Sequence, residues 1–295
     1  MQTIAFETVT VNEHGEIIRR ETLTAPVFVE TLPGGVAQEL IAGPEGRFLM
    51  GSRAGSGYPD ERPQHSVQVP AFFLGRFPVT QAQWNAIMPQ SLPWRTPGAT
   101  HPADRVSWHA AMAFCARVSQ ATGRGYHLPS EAEWEYACRG GTTTPFAFGH
   151  TLTTDLANYV GEHTYGAGPK GVYRHGSTEA GAFPPNAFGI NDMHGNVWEW
   201  CADAWHDDYT GVPSDGSAWT DSGSRDHVLR GGCWHDPPDL CRSAARLRQS
   251  PDSGEDYFGF RVALGRLENV APPGDRAVHR FAARLMRRIR DGLEK

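Results

Sequence analysis

From residue 141 to residue 264 the sequence shows no helical periodicity. Loops rich in Gly, Pro, Asp and Ser alternate there with short apolar stretches, such as residues 196–201 and 227–229. A loop region of this length is uncommon in a compact domain unless it carries function or encloses ions. The whole chain contains 33 Gly, 22 Pro and nine Trp, which predicts many turns held by large aromatic anchors rather than long regular elements.

The bulk composition is that of a globular protein. Charged residues make up 20% of the 295 residues and hydrophobic residues 39%, so a sizeable core is expected. The formal net charge of −6 argues against a general nucleic-acid-binding role. The sequence predicts neither a signal peptide nor a membrane span, because it lacks a basic segment followed by an apolar one and any apolar run of spanning length. Scattered cysteines without a CxxC pair predict reduced thiols in a cytoplasmic protein; they are Cys115, Cys138, Cys201, Cys233 and Cys241.

The two ends of the chain differ from its middle. Residues 1–38 alternate apolar and polar side chains around a turn at 12–15, which predicts an N-terminal β-hairpin extension. Residues 266–295 predict a basic amphipathic helix. That helix either contacts a partner or an anionic surface, nucleic acid included, or docks on the domain with its arginines in solvent. Residues 39–265 are expected to form the main domain.

Three helix starts are legible from capping residues. Thr80 and Ser130 each stand three residues before a Gln or Glu, which is the pattern of a capping box. Ser107 precedes a stretch with apolar residues at helical spacing, and Gly123 is expected to end it. The helix that begins after Ser130 is expected to end at Gly140 for the same reason.

Residues 230–262 mix two kinds of position. Some positions form a fixed frame. The positions between them carry His, Asp, Leu, Ser, Tyr and Phe side chains that follow no helical or strand period. A fixed frame with unpatterned side chains is typical of a binding surface on a rigid scaffold. We expect Arg242, Arg246 and Arg261 to form buried ion pairs, with Asp252 as a candidate partner. The frame comprises Arg230, Gly231, Gly232, Trp234, Cys241, Arg242, Ser243, Ala244, Arg246, Pro251, Asp252, Gly259, Phe260 and Arg261.

Eight motifs follow one another in a recognisable order. They are FLMGS (48–52), ERPQHSV (61–67), PVTQAQW (78–84), RVSWHAAMAFC (105–115), HLPSEAEWEYACRGG (127–141), FPPNAFGINDMHGNVWEW (183–200), VLRGG (228–232) and GFRV (259–262). In this order they resemble the formylglycine-generating enzyme (sulfatase-modifying factor) family, over about residues 40–264. The resemblance implies an α+β, C-type-lectin-like fold that is loop-rich, with two main helices and small twisted antiparallel sheets. Such a fold does not by itself settle activity.

The oxidases of that family resemble one another in a copper-binding cysteine pair just after the Gly-Gly, because soft thiolates suit Cu(I). In this sequence Cys233 stands where the family has Ser, and Cys241 directly precedes an Arg-Ser-Ala-Ala-Arg stretch. Neither cysteine is in register with the family's active positions, so the resemblance implies neither a copper site nor oxidase activity. A formylglycine-generating oxidase that uses Cys233 and Cys241 instead remains an alternative.

The same segment also resembles the variable region of proteins diversified by diversity-generating retroelements, many of which carry this fold. In those systems adenines are copied with errors, so that Asn codons become many other codons. Adenine changes in the Asn codons AAC or AAT never produce Lys, Glu, Gln, Met or Trp. None of the positions assigned to an Asn codon of the template carries one of these residues. The resemblance implies a variable region at 233–258 with these ligand-binding positions: Cys233, His235, Asp236, Pro237, Asp239, Leu240, Ala245, Leu247, Arg248, Ser250, Ser253, Gly254, Asp256, Tyr257 and Phe258.

We therefore expect a non-catalytic protein that binds a protein or other macromolecule through this surface. Leu240, Leu247, Tyr257 and Phe258 are expected to supply exposed apolar area beside polar Ser, Asp and His side chains. The second alternative is an undiversified, inactive relative, in which the same residues form an ordinary loop.

Residues 192–199 match a calcium-binding loop of the family. The resemblance implies that the side chains of Asp192 and Glu199 and the backbone carbonyls of Gly195 and Val197 bind a structural Ca²⁺. Hard oxygen ligands of this mixed type suit that ion. In the alternative interpretation, backbone amides satisfy the two carboxylates.

Overall fold

The computed structural model describes residues 1–265, in which three sheets and three α-helices form a loop-rich α+β architecture. The basic helix predicted for residues 266–295 lies outside the described residues. The α-helices are α1 (Gln81–Ile87), α2 (Trp108–Thr122) and α3 (Glu131–Arg139). The strands are β1 (Gln2–Val11), β2 (Ile17–Leu32), β3 (Val36–Gly43), β4 (Gly46–Met50), β5 (His65–Val69), β6 (Phe72–Gly75), β7 (Tyr126–His127), β8 (Trp198–Ala204), β9 (His227–Arg230), β10 (Arg246–Gln249), β11 (Phe258–Gly259) and β12 (Ala263–Leu264).

The largest sheet has six strands in the order β1-β2-β3-β6-β12-β7. β1 and β2 pair antiparallel around a turn in which Asn12 Oδ1 accepts two backbone N–H bonds and Gly15 takes a φ of 81°. Such a positive φ is readily adopted only by glycine. β2 then pairs with β3. The boundary expected between residues 38 and 39 falls inside β3, so the hairpin and the main domain share one continuous sheet.

A four-stranded sheet in the order β10-β9-β8-β11 anchors residues 230–262. β10 pairs antiparallel with β9, with Arg246 opposite Arg230, and β11 pairs in parallel with β8, with Phe258 opposite Trp198. The loops 231–245 and 250–257 connect these strands. A two-stranded sheet of β4 and β5 completes the described strands.

The capping residues predicted from the sequence are confirmed. Thr80 and Ser130 form capping boxes at the starts of α1 and α3, and Ser107 Oγ accepts a backbone N–H bond at the start of α2. Gly123 and Gly140 follow α2 and α3 with φ values of 71° and 54°. Side-chain caps therefore mark the starts of all three helices, and glycines mark the ends of α2 and α3.

Large aromatic side chains fill the interior between the loops. Trp134 and Trp200 have no exposed surface, and Trp198 is 1% exposed. Each of their indole N–H groups donates a hydrogen bond, as buried indoles usually require. Within residues 1–265, every helix is too short or too polar to cross a membrane.

Candidate ligand-binding cleft

A cleft of about 240 Å³ opens where the loops 231–245 and 250–257 meet two loops from earlier in the chain. Three of its lining residues belong to the predicted ligand-binding positions, and one belongs to the frame. The lining consists of Arg95, Tyr173, His175, Trp234, His235, Asp256 and Tyr257.

Trp234 forms an aromatic wall of the cleft. Its backbone N–H donates to the Asn196 carbonyl at 3.0 Å, and the residue is only 4% exposed. The Arg95 guanidinium carbon lies 5.1 Å from the indole ring centroid, and the Tyr173 ring is stacked at 6.4 Å. A cation over an indole face is worth about 0.5–1 kcal/mol at an exposed site. These contacts hold the wall in place.

Four rings of the cleft contact one another. The Tyr173 hydroxyl and His235 Nδ1 are 2.9 Å apart, and the rings of Tyr173 and His175 lie 3.9 Å apart. The Tyr257 ring is stacked 6.2 Å from that of His235. Burial raises the pKa of both Tyr173 and Tyr257, so each phenol keeps its proton at neutral pH.

Asp256 is the acidic group of the cleft. Its Oδ2 lies 3.2 Å from Arg95 Nη1 and 3.5 Å from Arg105 Nη2. Arg95 Nη2 also donates to the His175 carbonyl at 3.3 Å. The carboxylate therefore joins the loop at 250–257 to two cations supplied from outside the 230–262 segment.

Left-handed backbone marks both candidate sites. Four non-glycine residues within 1–265 have a positive φ: Arg105 (56°), His175 (58°), Asp192 (61°) and Asn196 (70°). The first two adjoin the cleft, and the other two lie in the loop predicted to bind calcium. Such strained residues tend to cluster at functional sites.

Three predicted ligand-binding side chains lie in the core, and for them the prediction is corrected. Phe258 has no exposed surface because β11 pairs with β8 and brings its ring 5.6 Å from that of Trp200. Cys233 is 1% exposed and Ala245 is fully buried. None of these three side chains can contact a ligand without moving the sheet.

Two further predicted positions have structural tasks. Asp236 Oδ2 accepts from Trp198 Nε1 at 2.6 Å and from both the N–H and the thiol of Cys233 at 3.0 Å. At Gly254, an added Cβ would lie 2.7 Å from the Arg105 carbonyl oxygen. Neither position is free to vary in this backbone.

The other predicted positions keep some exposed surface but do not all gather at the cleft. Arg248 pairs with Asp226 at 2.5 Å, and Asp239 accepts from the Tyr58 hydroxyl at 2.6 Å. Only His235, Asp256 and Tyr257 line the cleft. Apart from Asp236 and Gly254, which are also partly exposed, the partly or fully exposed positions are His235, Pro237, Asp239, Leu240, Leu247, Arg248, Ser250, Ser253, Asp256 and Tyr257.

The two cysteines of the segment are buried thiols. Burial, reinforced by the Asp236 carboxylate, raises the pKa of Cys233 well above its usual value. Burial does the same for Cys241, whose Sγ lies 3.9 Å from the Pro237 carbonyl oxygen. The Cys233 thiol donates to Asp236 Oδ2 at 3.0 Å, so Cys233 is engaged within its own loop. Across residues 1–265, no three His, Cys, Asp or Glu side chains gather as a metal-binding group.

Asp192 in the predicted calcium loop has an orphaned oxygen. Its Oδ2 accepts from the Gly181 N–H at 2.6 Å, whereas its buried Oδ1 lacks a hydrogen-bond partner in the described part of the chain. Burial raises the pKa of Asp192 to about 6. An unpaired buried carboxylate oxygen is costly, so Asp192 fits the role of an oxygen ligand to a cation.

Glu199 is engaged differently from Asp192. Arg261 contacts both Glu199 oxygens at 2.6 Å, and Trp134 Nε1 donates to Oε2 at 2.7 Å. The carboxylate is therefore already neutralised by a buried guanidinium. Of the two carbonyls in the predicted set, that of Gly195 accepts from the Val197 N–H at 3.0 Å. The predicted ligand set thus fits Ca²⁺ at Asp192 and poorly at Glu199.

The frame arginines form buried ion pairs as predicted, but with other partners. Asp252 is not one of them, because its side chain is 85% exposed and lies near His109. Burial alone would raise the pKa of Glu61, yet two bonds from Arg242 outweigh it and hold the pKa below its usual value. The pairs are Arg230 with Glu131 and Glu135, Arg242 with Glu61, Arg246 with Glu131, and Arg261 with Glu199.

A larger open depression of about 650 Å³ lies elsewhere, lined in part by Arg53, Arg62 and Asp208. It includes none of the 233–258 positions. Arg62 Nη2 donates to the carbonyls of Ser56 and Gly57 at 2.8 Å, so part of its guanidinium is already used within the protein. We therefore regard the smaller cleft as the candidate site.

Three cleft residues were missing from the sequence-based prediction. Arg95, Tyr173 and His175 come from loops at 89–100 and 171–176, far from the 230–262 segment in the chain. They carry no motif of their own. The one available signal was that aromatic and cationic residues stand in long loops, which is where binding residues concentrate.

Two curated relatives span most of this chain. The inactive C-alpha-formylglycine-generating enzyme 2 of Mus musculus is 31% identical over 278 residues, covering 75% of this chain and 83% of that protein. Serine/threonine-protein kinase pkn1 of Chlamydia caviae is 30% identical over 293 residues, covering 90% of this chain. The chain spans only 43% of the length of that second relative.

Solved structures with the same fold include PvdO from Pseudomonas aeruginosa, at 33% identity and a TM-score of 0.72, covering 82% of this chain and 98% of that one. Treponema denticola variable protein 1 shares the fold at 24% identity and a TM-score of 0.70, covering 81% of this chain and 99% of that one. Residues 29–265 match the family described as sulfatase-modifying factor enzyme 1-like domain. The chain therefore belongs to the sulfatase-modifying factor, or formylglycine-generating enzyme, family and has its loop-rich C-type-lectin-like fold.

Proposed function

We propose that this protein is a non-catalytic ligand-binding member of the family, diversified by a retroelement in the 233–258 segment and binding a protein or other macromolecule there. The observation that carries the proposal is the cleft, where His235, Asp256 and Tyr257 stand beside the fixed Trp234. Rigid aromatic anchors next to adaptable polar groups are the composition that paratopes use. The buried ion pairs of the frame arginines support a scaffold on which exposed side chains can change.

The thiols support a role without oxidase chemistry. Cys233 is a buried thiol that donates to Asp236, and Cys241 is buried beside the Pro237 carbonyl. A relative whose name includes the word inactive also resembles this chain. Incubation with Cu(I) and a cysteine-containing sulfatase peptide tests the oxidase alternative. Turnover that is lost on Cys233→Ser or Cys241→Ser would overturn the non-catalytic proposal.

The DNA beside the gene tests diversification directly. We expect a reverse transcriptase and an adenine-rich near-copy of codons 230–262. The near-copy should carry Asn codons at exposed positions such as His235 and Tyr257, and it should match the frame codons. If both the reverse transcriptase and the copy are absent, the protein is an undiversified relative.

A structural Ca²⁺ at Asp192, with the carbonyls of Gly195 and Val197, is a second part of the proposal. The orphaned buried oxygen of Asp192 supports it. Oxygen ligands of this kind suit Ca²⁺. Glu199 would remain paired with Arg261 and would hold the loop in place through this ion pair.

The pH dependence of stability tests the calcium proposal. The pKa of Asp192 is about 6 in the folded protein and about 3.9 in an unfolded chain, so the unfolded state loses its proton first. Without Ca²⁺, the free energy of unfolding should therefore fall from about pH 4 to about pH 6 through this group. Ca²⁺ should raise Tm more at pH 7.5 than at pH 5, because it binds the ionised carboxylate. An equal rise in Asp192→Asn would contradict a site at Asp192.

We further propose a cytoplasmic location, supported by five buried free thiols. A contact between the basic residues 266–295 and nucleic acid or an anionic surface stays a prediction from the sequence. Redox-sensitive labelling of the thiols in intact cells would test the location, and oxidised cysteines would contradict it.

A further inference from the structure

Two guanidiniums at the cleft, those of Arg95 and Arg105, share one acceptor side chain and keep exposed surface. Arg95 and Arg105 converge on one oxygen of Asp256, at 3.2 and 3.5 Å. Their side chains are 44% and 38% exposed, whereas that of Asp256 is 19% exposed. One carboxylate therefore serves two accessible guanidiniums.

Two buried N–H groups of residues at or beside the cleft lack acceptors. Trp234 Nε1 and Arg105 Nε are both buried without a hydrogen-bond partner among residues 1–265. An unpaired buried donor is destabilising. A ligand that brings an acceptor to either group, with a small shift of the side chain, would offset that cost.

Three other carboxylates lie near the cleft. Asp104 is fully buried, accepts the Arg95 backbone N–H at 3.1 Å, interacts with the charges of both arginines and does not line the cleft. Glu162 and Glu255 are close enough to contribute to the raised pKa of Tyr173 and Tyr257, respectively. Neither residue lines the cleft. The lining therefore contains one carboxylate, Asp256, and it is already shared by the two arginines.

We propose that the cleft binds a carboxylate of a protein partner, which replaces or joins Asp256 between Arg95 and Arg105. This inference rests on the proposed function and names the chemistry that the variable surface recognises. The planar guanidinium matches a carboxylate with two parallel hydrogen bonds. The stacked rings of His235 and Tyr257 would contact the apolar group next to that carboxylate.

The residue at 256 then sets the strength of anion binding. In this chain Asp256 is an internal competitor, because it occupies the guanidinium groups that a ligand would use. Asn at this position, the residue that a diversified template would encode, frees both arginines and removes one negative charge. The cations, Arg95 and Arg105, lie outside the variable segment and stay constant.

Two small compounds of the same shape and opposite charge test the proposal. Benzoate and benzamidine are titrated into the full chain, and the ¹H–¹⁵N signal of the Trp234 indole, assigned with Trp234→Phe, reports binding. We expect benzoate to shift this signal and benzamidine to leave it in place. Asp256→Asn should tighten benzoate binding about fivefold, the effect of removing one nearby like charge in a hydrated site. Arg95→Gln should weaken it about tenfold, and Arg95→Lys should lie between the two.

Arg20→Gln is the matched control, because Arg20 is an exposed arginine outside the variable segment that pairs with Glu7 and does not line the cleft. It should bind benzoate as the unchanged protein does. Tighter binding of benzamidine, weaker benzoate binding by Asp256→Asn, or a Trp234 signal that neither compound moves would each overturn the proposal.

Acetyl-phenylalanine and acetyl-aspartyl-phenylalaninamide then distinguish a chain terminus from an acidic side chain as the source of the carboxylate. The search for a retroelement is independent of all these titrations. If the retroelement is present and the titrations fail, only the carboxylate inference falls. If the titrations succeed and the retroelement is absent, the cleft is a fixed carboxylate site in an undiversified protein.

Discussion

Arg246 and Arg248 are the same residue type, two positions apart on β10, and they have opposite surroundings. The Arg246 side chain is 1% exposed and binds both oxygens of Glu131, whereas that of Arg248 is 52% exposed and pairs with Asp226. Side chains two apart on a strand leave the same face, so strand geometry does not separate them. The difference comes from the rings of Trp205 and Tyr209, each 4.4 Å from the Arg246 guanidinium carbon.

The contrast extends to the whole 230–262 segment. The frame arginines are buried and paired with carboxylates from distant parts of the chain, and most of the interleaved residues reach solvent. A buried ion pair is poor evidence of net stabilisation, but breaking one leaves an uncompensated buried charge. The frame is therefore intolerant of single changes, which is the property that a scaffold for variable residues needs.

Replacing Arg246 gives the largest expected effect. Arg246→Met leaves Glu131 with Arg230 as its remaining cation and removes bonds to the carbonyls of Asp60 and His206. We expect the free energy of unfolding to fall by about 3–5 kcal/mol, measured by urea denaturation. Arg246→Lys keeps the charge but not the bidentate contact with Glu131, so its free energy of unfolding should fall by less. Equal losses in both variants would mean that packing, not the ion pair, is what Arg246 supplies.

The neighbours Phe258 and Tyr257 form a second matched pair. Phe258→Ala should cost about 3–5 kcal/mol because it opens a cavity beside Trp200. Tyr257→Ala should cost about 1 kcal/mol, while removing one ring from the cleft. Thermal unfolding of the two variants measures the difference. A larger loss in Tyr257→Ala would contradict the assignment of position 258 to the core and 257 to the surface.

Substitutions at Gly254 and Ser253 test whether the backbone limits which positions of the segment can vary. Gly254→Asn would bring a Cβ within 2.7 Å of the Arg105 carbonyl oxygen, and relief of that contact should cost about 1–3 kcal/mol. Ser253→Asn, one residue earlier and partly exposed, should change stability by less than about 0.5 kcal/mol. Denaturation midpoints give both values. If Gly254→Asn were neutral, the loop could adopt another path, and position 254 would be open to diversification.

The fold was predictable where local chemistry decides it. The hairpin turn at Asn12 and the caps at Thr80 and Ser130 depend on residues within a few positions of one another. The ion pairs do not: Arg242 lies 181 residues from Glu61. Asp252 was expected as a partner because it is near in the sequence, and no local signal pointed to the distant glutamates.

The candidate site was predictable in part for the same reason. His235, Asp256 and Tyr257 stand in a segment with a recognisable pattern, and they line the cleft. Phe258 was expected to be exposed because a two-residue strand leaves no period in the sequence. Arg95 and Tyr173 come from loops whose positions are fixed only by tertiary packing, so the sequence offered no more than their place in long loops as a sign that they would join the site.

The smallest expected effect belongs to Arg248. Arg248→Met removes an exposed ion pair with Asp226, and most such surface pairs contribute little to stability. We expect the denaturation midpoint to change little, and the small difference to vanish in 1 M salt because exposed charges are screened there. A loss that survives high salt would mean that Arg248 stabilises the strand through its aliphatic stem. In that case Arg248 would belong to the frame with Arg246, rather than to the variable positions.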